Sequence, residues 1–130
     1  MAADNAPDSA ALHGLDWTVA LRTTDGDVDL LRQIAQAFLE ECGEHQDSLR
    51  AAVAAGDAAK TRLEAHLLKG VTSNFGAGGA RNAAERLETM GRHGDLTGAA
   101  ACLAVLEEQL RLLVGELTAF VNGRVLGPPS

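Results

Sequence analysis

The chain of 130 residues is poor in aromatics, which make up 3% of it, and it has no tyrosine at all. Its core must therefore be aliphatic, built from leucine, alanine and valine. β-Branched residues are few beside the alanines and leucines, and that balance favours helix over strand. Only two cysteines occur, Cys42 and Cys102, and they lack metal-motif spacing. Each falls inside a helical pattern, so both read as small buried thiols rather than as metal ligands. No apolar run is long enough to span a membrane. The N-terminus lacks the basic-then-apolar pattern of a signal peptide, which makes the cytoplasm the expected compartment. Positive charge is in the minority: 11 lysines and arginines stand against 18 acids, a formal net charge of -7. That balance argues against nucleic acid and against an anionic membrane surface as partners.

What is present fits one soluble domain, with 46% apolar and 22% charged residues. Residues 1–14 are small, polar and proline-containing and read as a flexible leader, and 123–130 as a flexible tail. The folded part is expected over 15–122. A short helix over Leu15 to Arg22, capped by Asp16, is followed by turn chemistry at Thr23-Thr24-Asp25-Gly26. A long helix then carries Leu30, Leu31, Ile34, Phe38 and Leu39 at helical spacing, with a kink expected at Gly43. Gly56-Asp57 reads as a stop and a new N-cap for a helix from Ala58 to Asn74. The next helix, Ala77 to about His93, has Ala80, Ala84 and Leu87 on one face. The last, from about Leu96 to Val121, repeats Leu103, Leu106, Leu110, Leu113 and Leu117. Four amphipathic helices with short connections predict an all-α fold, an antiparallel four-helix bundle with a short additional N-terminal helix.

The helix over Ala58 to Asn74 carries the chemistry. On a wheel of about 100° per residue, Ala65, Leu68, Thr61, Thr72 and Phe75 form one stripe, and His66 lies opposite. Around His66 come Arg62, Lys69, Gly70 and Ser73, with Leu63 and Leu67 at the border. Charge gathers there too. Between Lys60 and Arg92 six cations, Arg81 among them, face three acids, a net +3 within a chain whose remainder is -10. The other histidines, His13, His45 and His93, read as ordinary surface residues.

Several uses of the imidazole fit poorly. No His-x-x-x-His or Glu-x-x-His pair supports a metal, and the neighbouring cations would repel one. Ser73 lies two turns from His66, and no carboxylate on that helix face orients the ring, so hydrolase chemistry lacks its parts. Gly76-Ala77-Gly78-Gly79 has neither the Walker lysine and serine nor a preceding strand, so it reads as a helix start. What remains is the imidazole as a nucleophile toward phosphorus. Lys69, one turn on, can neutralise phosphoryl oxygens as a point charge. Gly70 costs about 1 kcal/mol relative to alanine in a helix interior, and room for an approaching molecule accounts for it.

Ala65-His66-x-Leu68-Lys69-Gly70, then Asn74-x-Gly76-Ala77, then Leu87-Glu88, resembles the histidine phosphotransfer (HPt) domains of multistep phosphorelays. The resemblance spans about Leu15 to Asn122. It implies phosphorylation of His66 and exchange with aspartates of response-regulator receiver domains, including those of hybrid histidine kinases. It implies a phosphocarrier rather than an enzyme, with no cofactor of its own: the receiver contributes Mg²⁺ and most of the catalytic groups. By position, His66 is the phosphoacceptor, Lys69 the phosphoryl-stabilising cation and Gly70 the clearance residue. Arg62, Leu63, Leu67, Ser73, Arg81 and Glu88 are the expected docking residues. Glu88 occupies a position often held by a polar residue near the imidazole. Two other readings share the pattern: the phosphoacceptor domain of a chemotaxis-type kinase, and a helical adaptor that binds receivers without being phosphorylated.

Overall fold

The computed structural model describes residues 14–123, so the expected leader and tail lie almost wholly outside the described residues. Five helices follow in order: α1 (Trp17–Thr23), α2 (Val28–Ala55), α3 (Ala58–Asn74), α4 (Gly78–His93) and α5 (Ala99–Val121). Short turns join them. Each of α2 to α5 packs on its neighbours in sequence, and α5 closes on α2, which makes an antiparallel four-helix bundle.

Local signals set most of the boundaries. Asp16, Asp27 and Asp57 each cap a helix by accepting backbone N–H bonds in its first turn. Gly56 and Gly94 end α2 and α4 in the left-handed region, at φ 68° and 72°. α2 runs as one helix through Gly43, with open space beside the glycine. One expectation shifts: the last helix starts at Ala99 rather than Leu96. Asp95 accepts the Thr97 N–H at 3.0 Å, and Gly98 turns left-handed at φ 82°, so 95–98 form a turn first.

Five of the six leucines of α5 are buried, with Leu106, Leu110, Leu113 and Leu117 fully so, while Leu112 is half-buried. Leu31, Phe38 and Leu49 of α2 meet them in one aliphatic core. Leu30 is the exception on α2: it is 41% exposed, and Leu31 and Ala35 take the inward positions. Both cysteines are free and buried, as expected for small apolar side chains. α1 covers one end. The Asp16 N–H donates to Phe75 O at 2.9 Å, Thr23 Oγ1 to Asn74 O at 3.1 Å, and Trp17 stacks edge-on against Phe120. This fixes the α3–α4 turn and with it the relative register of the two helices that carry the site.

Candidate functional site

The position of His66 follows from what α3 buries. Thr61, Ala65, Leu68 and Thr72 are at most 1% exposed and face the core. Thr72 Oγ1 donates to Leu68 O at 2.8 Å, so a hydroxyl sits in the stripe without an unmet bond. The opposite face is left to His66, whose side chain is 60% exposed.

α4 approaches α3 through small residues. Ala80, Ala83, Ala84 and Gly91 face inward. A Cβ on Gly91 would lie 2.6 Å from Ala58 O and 2.7 Å from Arg62 N, so only glycine admits the α3 backbone at this distance. That close approach carries Glu88 to the imidazole. Glu88 Oε2 lies 2.9 Å from His66 Nδ1, and Oε1 lies 2.8 Å from Lys69 Nζ. The lysine contact is an ion pair by distance, without the alignment of a hydrogen bond. Arg92, one turn further along α4, places Nη2 3.4 Å from the same Oε2.

Glu88 is 4% exposed, so its charge needs partners. The Lys69 ammonium, and after it the imidazole, hold its carboxyl below the usual carboxylate range, against the burial that pushes it up. An ionised carboxylate only accepts hydrogen bonds, so Nδ1 must be the donor in the neutral ring. That leaves the Nε2 lone pair free. The site therefore offers an exposed, oriented nitrogen nucleophile beside an ammonium group.

The structure groups His66, Lys69 and Glu88 and leaves the other expected residues apart from them. Arg62, Leu63 and Leu67 lie on the exposed side of α3, the leucines 53% and 44% exposed. A Cβ on Gly70 would meet nothing within 4 Å. The Ser73 hydroxyl turns back on its own helix and donates to Lys69 O at 2.7 Å. Arg81 is two turns before Glu88 on α4 and pairs with Glu85 at 3.0 Å. Glu88 lies beside the imidazole, as the resemblance implies, but it is buried. It offers a partner almost no surface, and it is the orienting carboxylate that the wheel of α3 alone could not supply. Arg92 and Gly91 were not anticipated. The signal for all three lies on the wheel of α4: Glu88 is four residues after the buried Ala84, at the edge of the inward stripe, and Gly91 and Arg92 follow within a turn. Glu64 points the other way, to His45 of α2, with 3.6 Å between Oε1 and Nδ1.

Comparison with known proteins bears on the fold and the family. The Hpt domain family matches residues 33–119. A crystal structure of histidine-containing phosphotransfer protein B (HptB) from Pseudomonas aeruginosa PAO1 is similar, with 28% identity and a TM-score of 0.77, over 84% of this chain and 95% of that one. The HPT domain from the Hpt sensor hybrid histidine kinase from Shewanella shares the fold, with a TM-score of 0.77 at 16% identity, over 86% of this chain and 97% of that one. A search of curated proteins gives no match. With the family match running from the first half of α2 almost to the end of α5, the chain belongs to the Hpt domain family, the histidine phosphotransfer domains of phosphorelays.

Proposed function

We propose that His66 is the phosphoacceptor and that Nε2 is its reactive atom. The observation that carries this is the bond between Nδ1 and the buried Glu88, which leaves the Nε2 lone pair on the exposed face. In loading, Nε2 attacks the phosphorus of an aspartyl phosphate, and the acyl P–O electron pair leaves with the aspartate. Lys69 neutralises the phosphoryl oxygens, and the open space at Gly70 admits the partner. The chain supplies a nucleophile and a cation. The receiver supplies Mg²⁺ and the remaining catalytic groups, so the protein acts as a carrier and not as an enzyme.

The docking face is Arg62, Leu63 and Leu67, with Ser73 and Arg81 at its far end. An apolar groove of about 190 Å³ between α2 and α3 continues it, lined by Ile34, Phe38, Leu67, Val71 and Phe75 among others. Its cations complement the acidic site of a receiver and speed encounter. The exchange is assigned to the cytoplasm, and no described helix is long and apolar enough to cross a membrane.

Incubation with a phosphorylated receiver tests the reading. Acid-labile label is expected on the wild type and none on His66→Gln, with the fold intact by circular dichroism. Label retained by His66→Gln would overturn it.

A further inference from the structure

The Glu88 carboxylate is a buried charge with three nitrogen partners drawn from two helices. With the ring neutral, Glu88, Lys69 and Arg92 sum to one formal positive charge. Phosphorylation through Nε2 changes that sum. The ring gives its lone pair to phosphorus and emerges as an imidazolium, its hydrogen still on Nδ1. The phosphoryl group adds about -2 at neutral pH. The loaded cluster is then close to neutral if Nδ1 keeps its hydrogen, and near -1 if it does not.

We propose that Glu88 holds the hydrogen on Nδ1 of His66 throughout the transfer cycle, so that the phosphorylated ring is an imidazolium and departs as a neutral imidazole. The proposal rests on His66 being the phosphoacceptor and goes beyond it to the protonation state of the loaded site. In loading, the P–N bond forms and the donor's P–O bond breaks. In unloading, an acceptor carboxylate forms a new P–O bond, and the P–N electron pair returns to Nε2. No proton moves in either direction, and Nδ1–H donates to Glu88 Oε2 in every state. Without that hydrogen the ring would have to leave as an imidazolate anion, a far poorer leaving group. Glu88 is thus a positioning residue that acts through the ring.

The surrounding charges divide clearly. Glu88 and the phosphoryl oxygens favour the ring cation, while Lys69 on α3 and Arg92 on α4 oppose it. Arg62 lies one turn before His66 on α3. Glu85 on α4 is paired with Arg81, and His45 and Glu41 of α2 meet each other, with Glu64 on the far side of α3. Arg92 and His66 share one oxygen of Glu88, so removing the arginine leaves more of that charge to the ring. Glutamine at position 88 can still accept the Nδ1 hydrogen bond but brings no charge. The loaded cluster would then be near +1 with the hydrogen and neutral without it.

Phosphoramidate can load His66 without any receiver. Loaded, ¹⁵N-labelled full-length chain is titrated by NMR at the ring nitrogens for the wild type, Glu88→Gln and Arg92→Gln. The Nδ1 midpoint is expected about 1 to 3 pH units lower in Glu88→Gln than in the wild type, and higher in Arg92→Gln. At pH 8 the phosphohistidine of Glu88→Gln should survive roughly tenfold longer or more, one unit of midpoint being tenfold in population. Coincident midpoints overturn the proposal and leave the carrier reading standing. A ring that phosphoramidate cannot label overturns both. If Glu88→Gln fails to fold, the upward shift in Arg92→Gln decides the matter alone.

Discussion

The inward face of α5 starts with Ala99 and Cys102 and then runs through Leu103, Leu106, Leu110, Leu113, Leu117 and Phe120, whereas that of α4 is Ala80, Ala83, Ala84, Leu87, Glu88 and Gly91. Both faces belong to one bundle, and the two helices touch. Large side chains hold helix axes apart, and each buried leucine contributes roughly 1.5–3 kcal/mol. Small side chains contribute less burial but let two backbones close. α5 therefore stabilises the bundle, and α4 gives up apolar area to bring a carboxylate within 2.9 Å of a ring nitrogen. Stability and chemistry are segregated to different seams of a small protein.

Substitution on each side separates the two roles. Leu110→Ala, at a fully buried position of α5, should cost about 2–5 kcal/mol by denaturant unfolding. Phosphotransfer per folded molecule should stay near the wild-type rate. Gly91→Ala puts a methyl against the α3 backbone, 2.6 Å from Ala58 O. It should cost about 1–3 kcal/mol, and phosphotransfer per folded molecule should fall. Equal transfer rates in the two folded variants would erase the division between seams.

Acid should act on the α4 seam through Glu88. The Glu88 carboxyl lies below its ordinary value of 4.5 in the folded state, chiefly because of Lys69. It therefore contributes stability above that pH, and the contribution fades as pH falls through the folded value. Thermal unfolding from pH 6 to 3 should destabilise the wild type more steeply than Glu88→Gln. Parallel curves would remove Glu88 from the account of the α3–α4 seam.

The smallest expected effect concerns two exposed helical glycines, at neither of which an added Cβ would meet anything within 4 Å. Gly70→Ala and Gly43→Ala should each stabilise by up to about 1 kcal/mol. Only Gly70→Ala should slow transfer from a receiver, because it alone lies beside His66. Equal transfer in both would assign Gly70 no part in partner access.

Much of this was legible in the chain itself, for reasons that differ by element. The bounds of α3 follow from local chemistry, a left-handed glycine and an aspartate cap, and the exposure of His66 follows from a stripe carried by the same helix. The leucine repeat of α5 is equally self-contained. Leu30 and the late start of α5 turned on packing and on a turn hydrogen bond that periodicity does not report. The orienting role of Glu88 was hidden for a deeper reason. Two of its partners, His66 and Lys69, are on another helix, and their distance depends on how closely two backbones approach, which a single glycine governs. A wheel of α3 holds no information about that approach.

Gly91 sets the spacing of the site by having no side chain. No residue is smaller, so every substitution there pushes the two helices in the same direction. Sequence drift can loosen the grip of Glu88 on the imidazole but cannot tighten it. For mutation this is a one-sided constraint: the leucines of α5 can be traded for one another's near equivalents with compensation elsewhere, while position 91 admits no trade.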